Sequence, residues 1–372
     1  MKRLLLTCTD LMAIQFLVPH VKYLSQHGFS VELACSDVGG RLEDLHQALD
    51  GIAPIHVVRL VRSPFLTENR KGYGDLKKII DGSRWDVIWT NEPVMGVMTR
   101  LAARGARKRG TKVVYMVHGF HFYKGAPLQN WLLYYPVEKY CSRLCDMIVT
   151  INEEDYRRAK TFHAGRVEKI PGVGVNLDRF APDGEARRAW REKLGLSEND
   201  IALLTVGELT PRKNQYVMLE ALHLLNDPRC RLFICGRGEL EPRLKQQVKA
   251  LQLEDQVQFL GYRKDIPQLC CASDIFAFTS IQEGLPRALM EAMANGKAIV
   301  CSDIRGNVDL IEDGKGGFVV TNEAEPVAQA IARLAEDPQL RTEMGAYNVR
   351  TVDAFREERA LEAVNVIFES IA

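Results

Sequence analysis

The sequence predicts two α/β domains in tandem, each built on a doubly wound parallel sheet. The first half alternates short apolar runs with helical patterns, the segment 171–180 interrupts them with a proline and two glycines, and a second alternation follows. Strands separated by helices imply parallel pairing, because a parallel connection needs a crossover of a dozen or more residues. The length of 372 residues suits two domains of ordinary size.

The first half is expected to hold strands wherever a short apolar run is bounded by Gly, Pro or Asp. These runs are 3–8, 30–35, 55–58, 87–90, 112–117 and 147–151. Helices are expected over 12–27, 93–109, 128–143 and 153–162. The Pro and Gly residues of 171–180 are typical of a linker, so a domain boundary is expected between residues 172 and 173.

The second half repeats the architecture rather than the sequence. Strands are expected at 202–206, 231–235, 257–260, 274–279 and 298–302, and helices at 214–225 and 239–251. The last stretch, 356–371, carries Leu361, Val364, Ile367 and Phe368 at amphipathic helical spacing.

Composition indicates a globular protein, with 46% hydrophobic and 26% charged residues. No run of 18 or more apolar residues occurs, and the N-terminal apolar stretch is too short for a signal peptide, so neither a membrane span nor a leader is expected. Nine cysteines are scattered without a Cys-x-x-Cys. They are interpreted as reduced core thiols of a cytosolic protein rather than as metal ligands or disulfides.

Charge is uneven along the chain. The total is +1, but residues 1–175 carry +8 and the remainder −7. The densest cluster comprises Arg100, Arg104, Arg107, Lys108, Arg109 and Lys112, at the end of a predicted helix. It either complements the helix dipole or faces anionic lipid headgroups or a lipid diphosphate. Nucleic acid is a less suitable partner, because no basic stripe interleaved with aromatic residues is present.

Two carboxylates, Glu283 and Glu291, stand eight positions apart around a Gly-Leu-Pro-Arg sequence. Pro286 suits the first position of a helix, which would place Glu283 on the preceding loop and Glu291 about one and a half turns inside. The N–H groups of the helix start favour phosphate, and carboxylates can accept hydrogen bonds from sugar hydroxyls. The pattern therefore suits a sugar nucleotide. A solvated helix start with an Arg287–Glu291 ion pair is the alternative.

Two further segments follow predicted strands. After the strand ending near Val206, Gly207 allows close backbone approach, and Arg212 and Lys213 are placed to reach a diphosphate. In the first half, His118 follows a strand and precedes a glycine, in the position where open parallel sheets bind ligands. A strand-end histidine can equally be structural.

With these residues in view, the chain resembles glycosyltransferase family 4, a family of retaining enzymes. The family's Glu-x7-Glu motif is matched by Glu283 and Glu291, its strand-end His-Gly by His118 and the next residue, and its Gly-x-Gly turn by Gly236 and Gly238. A lone Gly-x-Gly is also explained by tight turn geometry. The likeness covers nearly the whole chain. Residues 118–127 and 131–135 are similar to the branch that builds capsule and exopolysaccharide repeat units on a polyprenyl diphosphate carrier.

The resemblance implies the GT-B fold, in which two Rossmann-like doubly wound domains flank a cleft and a C-terminal helix returns to the first domain. Residues 1–172, with 356–372, would bind the acceptor, and residues 173–355 would bind the nucleotide-sugar donor. Glu291 would hold the ribose hydroxyls and Glu283 the sugar hydroxyls across the anomeric face. His118 would contact the donor sugar near its anomeric centre, while Arg212 and Lys213 would stabilise the departing diphosphate.

The expected catalytic residues are therefore Glu283, His118, Arg212 and Lys213. The expected donor-binding residues are Gly207, Arg212, Lys213, Gly236, Tyr262, Arg263, Gly284, Leu285, Pro286, Arg287 and Glu291. Tyr262 and Arg263 belong here because this loop borders the base in the family. The expected acceptor-side residues are His121, Tyr123 and Lys124.

Two departures from the family pattern leave roles open. Many members have Gly-Arg where this chain has Gly207-Glu208, so Arg212 is expected to supply the missing cation. Many members also have a Gly-Gly loop after the first strand, whereas residues 7–14 contain no glycine. The functions of Glu208 and of this loop are not fixed by the sequence.

The expected activity is retaining transfer of a sugar to a polyprenyl-diphosphate-linked saccharide in capsule, exopolysaccharide or related glycan synthesis. A UDP-N-acetylhexosamine donor is favoured. No Asp-x-Asp occurs, so neither a metal nor a cofactor is expected. Such an enzyme would be cytoplasmic and attached peripherally to the inner face of the cell membrane, whose anionic surface it would bind. It would bind no nucleic acid.

Other functions fit less well. A sugar-nucleotide 2-epimerase of the same fold would need an acid–base pair at the sugar ring, and none is evident beyond Glu283 and His118. A transferase that uses a GDP-sugar is a second alternative. A nicotinamide oxidoreductase is disfavoured because no Gly-x-Gly-x-x-Gly follows the first strand. A non-catalytic sugar-binding module would bind a labelled donor without transferring its sugar.

Overall fold

The computed structural model describes residues 1–38, 40–63 and 67–372, with the backbone alone for Asp10 and Met12. The chain forms two compact units. Unit 1 comprises residues 1–174 and 358–372, and unit 2 comprises residues 175–357.

Unit 1 contains a sheet of seven parallel strands. They are β1 (Lys2–Asp10), β2 (Phe29–Val38), β3 (Ile55–Val57), β4 (Val87–Asn91), β5 (Lys112–Val117), β6 (Met147–Thr150) and β7 (Arg166–Lys169), in the spatial order β3-β2-β1-β4-β5-β6-β7. The central strands are buried apolar runs, as expected for a parallel sheet covered on both faces. Strand β7 was not predicted, because its Arg-Val-Glu-Lys sequence has the charged character of a sheet edge.

The helices of unit 1 are shorter than the sequence predicts. They are α1 (Leu11–Ile14), α2 (Val18–Gln26), α3 (Leu42–Ala48), α4 (Glu68–Asp81), α5 (Pro93–Ala102), α6 (Arg104–Lys108), α7 (Leu128–Cys141), α8 (Glu153–Ala159) and the C-terminal helix (Glu357–Ile371). The single helix predicted over 12–27 is wrong, since a 3₁₀ turn at Gln15–Leu17 and Pro19 in the first turn of α2 divide it. The helix predicted over 93–109 is likewise divided at Ala103.

Three of the six residues of the basic cluster pair with carboxylates. Arg100 is fully buried in α5, and its guanidinium donates to Glu138 of α7 at 2.8 Å. Arg107 forms two hydrogen bonds to Asp146, at 2.9 and 3.0 Å, and Arg109 pairs with an aspartate at the end of α4. These three arginines therefore each have a carboxylate partner within the protein, and only that of Arg100 is fully enclosed.

Unit 2 contains a sheet of six parallel strands. They are β8 (Ile201–Val206), β9 (Cys230–Cys235), β10 (Val257–Gly261), β11 (Ile275–Phe278), β12 (Ala298–Ser302) and β13 (Gly317–Val320), in the order β10-β9-β8-β11-β12-β13. The helices around it are α9 (Gly184–Lys193), α10 (Gln215–Leu225), α11 (Glu241–Ala250), α12 (Ile266–Ala272), α13 (Arg287–Ala294), α14 (Ala324–Glu336) and α15 (Pro338–Thr351). Two shorter 3₁₀ turns lie at Asp178–Phe180 and Val352–Phe355.

The C-terminal helix has the apolar face that its spacing predicts. Val364, Ile367 and Phe368 are buried, and the Phe368 ring lies 5.2 Å from that of Trp89 in β4 and 6.2 Å from that of Phe29 in β2. This packing fastens the end of the chain to the sheet of unit 1.

All nine cysteines are buried, as predicted for core thiols, and none is paired in a disulfide. Within the described ranges, no helix combines the length and the apolar character needed to cross a membrane.

Candidate active site

The candidate donor site lies at the point in unit 2 where the strand order reverses. Strands β8 and β11 are neighbours in the sheet. From β8 the strands that follow in sequence extend to one edge, through β9 to β10, and from β11 they extend to the other edge, through β12 to β13. Ligands of open parallel sheets bind outside the carboxyl ends of the strands at such a point. The loop after β8 carries Lys213, and the loop after β11 carries Glu283.

The carboxylate of Glu283 is held by two cations across this switch point. Lys213 Nζ donates to Glu283 Oε1 at 2.7 Å, and Arg212 Nη1 donates to Oε2 at 3.2 Å. Arg305 Nε fixes the backbone of the same residue by donating to the Glu283 carbonyl at 3.0 Å. The structure thus brings together three of the predicted catalytic side chains, since Arg212 and Lys213 precede Glu283 by 71 and 70 residues along the chain.

The two cations differ in their surroundings. The Lys213 side chain is 13% exposed and that of Arg212 is 43% exposed. Burial lowers the pKa of Lys213, because its ammonium loses water, although the Glu283 carboxylate opposes the shift. Lys213 is therefore the more enclosed cation of the site, and Arg212 is the more exposed one.

Two glycines, Gly236 and Gly306, let the loops at the carboxyl ends approach one another. A Cβ on Gly236 would lie 1.8 Å from the Gly207 carbonyl oxygen, and its φ of 146° belongs to the region that favours glycine. A Cβ on Gly306 would lie 2.5 Å from the carbonyl oxygen of Gly284, the residue after Glu283. The space that a ligand could use here is therefore bounded by backbone, which suits contact with phosphate oxygens.

Helix α13 begins one residue later than predicted. Pro286 has φ −73° and ψ 116° and caps the helix from outside, so Arg287 is the first helical residue. Pro286 takes the N-cap position because its ψ is extended. Glu291 consequently lies just over one turn inside the helix rather than one and a half.

Glu291 forms the ion pair that was the alternative interpretation of this motif. Arg287 Nε donates to Glu291 Oε1 at 3.0 Å. Burial raises the pKa of the Glu291 carboxyl group, while Arg287 and Arg179 act against that shift. Arg287 occupies Oε1, so the carboxyl group of Glu291 can still accept a hydrogen bond from a hydroxyl group at Oε2.

A cavity in unit 2 adjoins the loop after β10. It has a volume of 550 Å³ and is lined by Tyr262, Arg263 and Arg179 among others. Arg263 is held by Asp265 through hydrogen bonds of 2.8 and 2.5 Å, which leaves the exposed Tyr262 ring as the aromatic surface of the cavity. Arg179 was missed by the sequence reasoning because it lies in the linker, where no periodic pattern marks it.

His118 of unit 1 follows β5 and is half-buried. Its Nε2 lies 2.9 Å from Oδ1 of Asn91, the last residue of β4, whose amide nitrogen donates to the Thr7 carbonyl at 3.4 Å. This orientation of the amide places a proton on His118 Nε2 and leaves Nδ1 as an acceptor. Burial lowers the pKa of His118 to about 4, so the imidazole is neutral at neutral pH. Asn91 could have been anticipated as a polar residue ending a buried strand.

The three acceptor-side candidates are separated in the structure. The His121 ring lies against that of Tyr134, tilted by 32° with a centroid distance of 4.6 Å. His121 also lines a cavity of 320 Å³ with Thr9, Arg62 and Glu92. Tyr123 and Lys124 are not among the described residues that line it. Lys124 is exposed, and its backbone N–H donates to Glu154 at 2.7 Å.

Glu92 is a candidate site residue that sequence reasoning missed. It directly follows β4, and its φ of 64° and ψ of 157° fall in a region that is almost restricted to glycine. Its carboxylate accepts a hydrogen bond from the Thr9 backbone N–H at 2.6 Å and from Cys8 Sγ at 3.3 Å. Because β1 and β4 are the strands between which the order of the unit 1 sheet reverses, this residue occupies the ligand-binding position of that sheet.

Comparison with known proteins agrees with this geometry. Residues 17–179 match the family described as Glycosyltransferase Family 4, and residues 186–351 match Glycosyl transferases group 1. The chain is 38% identical to the putative glycosyltransferase EpsD of Bacillus subtilis (strain 168), covering 95% of this chain and 93% of that protein. The protein is a glycosyltransferase, as its two doubly wound sheets and these matches indicate. The chain belongs to glycosyltransferase family 4.

Two other similar proteins bear on the site and the fold. The UDP-Gal:alpha-D-GlcNAc-diphosphoundecaprenol alpha-1,3-galactosyltransferase of Escherichia coli is 27% identical over 93% of this chain and 90% of its own. The crystal structure of Anabaena Alr3699/HepE in complex with UDP has a TM-score of 0.84 and 23% identity, covering 100% of both chains. The predicted family and the GT-B fold are confirmed.

Proposed function

We propose that the protein is a retaining glycosyltransferase that moves a sugar from a UDP-N-acetylhexosamine to a polyprenyl-diphosphate-linked saccharide. Unit 2 holds the donor and unit 1 holds the acceptor. The observation that carries the proposal is the Glu283 carboxylate held by Lys213 and Arg212 at the carboxyl ends of β8 and β11. A site of two cations and one carboxylate matches a ligand made of a diphosphate and a sugar.

Before the donor binds, the Glu283 carboxylate compensates the positive charges of Lys213 and Arg212. The donor diphosphate would replace Glu283 as the partner of these two cations. Lys213 and Arg212 turn from the carboxylate to the phosphate oxygens, and the start of α13 adds backbone N–H donors. Glu283 is then released to accept hydrogen bonds from the sugar hydroxyls. Side-chain cations thus meet the charge that develops on the leaving group, and we propose that no metal takes part.

In the transfer step the bond from the anomeric carbon to the phosphate oxygen breaks, and a bond from the same face of that carbon to the acceptor oxygen forms. The acceptor proton passes to the departing phosphate oxygen, so no separate base is needed. His118, neutral and with Nδ1 as an acceptor, is suited to take a hydrogen bond from a sugar hydroxyl without adding charge.

The nucleoside would be held by Glu291 and the cavity lined by Tyr262. Glu291 accepts hydrogen bonds from the ribose hydroxyls, and Arg287 donates to the same carboxylate. The exposed Tyr262 ring offers a surface on which a base can stack.

The acceptor proposal draws on the name of the Escherichia coli relative, which specifies a sugar on diphosphoundecaprenol. An acceptor of that kind is confined to a membrane, so the enzyme would work at the cytoplasmic leaflet in capsule or exopolysaccharide synthesis. The name of the same relative specifies a UDP-linked donor.

Thermal unfolding in the presence of a nucleotide-sugar panel tests the donor. UDP and UDP-N-acetylglucosamine should raise the unfolding midpoint more than GDP-mannose, since a ligand at 100 times its Kd stabilises the folded state by about 2.7 kcal/mol. A larger shift with GDP-mannose would contradict the donor assignment while leaving the family unaffected.

A further inference from the structure

An apolar groove runs between α5 and α7 in unit 1, outside the polar residues described above. Val94, Val97 and Met98 of α5 form one wall, and Leu133 and Val137 of α7 form the other. The groove has a volume of 200 Å³, larger than the cavity of about 150 Å³ that binds benzene in a protein core. It can therefore admit a branched hydrocarbon chain of narrow cross-section.

The groove continues into the polar cavity that contains Glu92. Pro93, Val94 and Tyr134 line both spaces. The polar cavity holds Arg62, a cation suited to phosphate, and Glu92, a carboxylate suited to hydroxyl groups. An amphiphile with an apolar chain joined to an anionic, hydroxyl-bearing head would fill both spaces at once.

The outer face of α7 is also apolar. Leu128 and Leu132 are 73% and 70% exposed, and Leu133, Val137 and Tyr140 are exposed as well. At 100° per residue these five side chains fall within one half of the helix circumference, and Leu133 and Val137 border the groove. We call these five residues the apolar arc of α7. An exposed apolar surface of this kind marks a site of association with a membrane or a protein.

We propose that the groove between α5 and α7 seats the first isoprene units of a polyprenyl chain, with the diphosphate-linked sugar in the polar cavity and the apolar arc against the lipid surface. This inference rests on the proposed acceptor. A polyprenyl chain is preferred to a protein partner because the groove leads into a cavity with a cation and a carboxylate at the sheet's switch point, which a protein helix on α7 would leave unused.

Photocrosslinking to the full-length protein tests the groove with a benzophenone-tagged farnesyl diphosphate as the probe. Mass spectrometry should find the label on peptides of α5 or α7. Farnesyl diphosphate should compete for labelling at concentrations about tenfold below those of inorganic pyrophosphate, a difference of about 1.4 kcal/mol assigned to the chain. Labelling elsewhere, or equal competition by pyrophosphate, would overturn the proposal.

Two valines of unit 1 provide a matched pair of variants. Val137 on the groove wall is 43% exposed, and Val366 on the C-terminal helix is 55% exposed. Val137→Asn should reduce labelling about tenfold and Val366→Asn should leave it unchanged. Equal labelling of both variants would contradict the groove.

The UDP-induced shift in unfolding midpoint separates this inference from the proposed function. Both valine variants should retain the shift of the parent, which shows that they are folded and bind donor. If UDP and UDP-sugars produce no shift in the parent, the proposed function fails even where the groove is labelled. If the shift is normal and the groove is not labelled, the groove assignment alone fails.

Discussion

Glu283 and Glu291 belong to one motif but have different neighbours, so their variants should differ. Glu283 contacts the two cations proposed to meet the diphosphate, whereas Glu291 is paired with Arg287 at the proposed ribose position. Glu283→Gln should lower turnover far more than it changes UDP affinity. Glu291→Gln should weaken UDP binding by about 1.5–3 kcal/mol, because a charged hydrogen bond is lost.

Calorimetric titration with UDP and measurement of UDP release from the donor provide the two readouts. Glu336→Gln, an exposed change at the end of α14, serves as the control. Normal UDP binding and normal turnover in both motif variants would reduce the motif to a helix start with an ion pair.

The backbone at Glu92 offers a test of strain. A side chain at φ 64° and ψ 157° costs about 1–3 kcal/mol, whereas glycine adopts this region freely. Glu92→Gly should therefore be more stable than Glu92→Ala in urea unfolding, the reverse of the usual order of these residues. Both variants lack the carboxylate, so their difference isolates the backbone. An alanine variant as stable as the glycine variant would show that the strain is absent in solution.

Helix α7 differs from the other surface helices in presenting an apolar outer face. Leu132→Asn should reduce sedimentation with anionic liposomes about tenfold, because burying a leucine side chain contributes about 1.5–3 kcal/mol. Leu224→Asn, at an exposed leucine of α10 in unit 2, should bind like the parent. At 1 M salt the Debye length is about 3 Å, so attraction between charges is screened. Part of the binding should persist there, because carboxylates already compensate three residues of the basic cluster and binding then depends less on charge. Equal sedimentation of the two variants would contradict the assignment of α7 to the membrane.

The charge of the donor diphosphate is proposed to be met by Lys213, Arg212 and the start of α13. Excess chelator should therefore leave the rate of UDP release within a few-fold of that of the untreated enzyme. A metal-dependent transferase treated alongside confirms that the chelator acts. Complete inactivation that magnesium or manganese reverses would show that an ion takes part.

Two histidines in unit 1, the buried His20 and the half-buried His118, link the stability of the protein to pH. His20, 1% exposed in α2, has a pKa lowered to about 4 by burial, and His118 has a similar value. Histidine in the unfolded state takes up a proton near pH 6.5. Between pH 6.5 and 4 the unfolded state therefore binds more protons than the folded state, and the free energy of unfolding decreases as the pH is lowered. The His20 contribution amounts to about 3 kcal/mol.

Urea unfolding at several pH values measures this dependence. His20→Gln should be less steeply destabilised than the parent between pH 6.5 and 4, while both should show the same dependence above pH 7. An unchanged slope in the variant would exclude His20 as its source.

Several features followed directly from local sequence patterns. The strand over 112–117 was predicted with its observed bounds because it is a continuous apolar run between Lys and His-Gly. The linker, the amphipathic C-terminal helix and the Glu-x7-Glu unit are likewise local signals that depend on residues close together in the chain. Helix α4 was missed because its two glycines weaken helical propensity. One of them, Gly72, is required by packing, since a Cβ there would lie only 2.6 Å from the Arg59 carbonyl oxygen.

The composition of the site depended on pairings that local patterns do not contain. Lys213 meets Glu283 because β8 and β11 are neighbours, and Thr9 meets Glu92 because β1 and β4 are neighbours. The compensation of Arg100 by Glu138 arises in the same way, from the packing of α5 against α7. Periodicity and turn residues specify each strand and helix through short-range energetics. Which of their ends meet is decided by the order of strands in the folded sheet, and that order brings together side chains tens of residues apart.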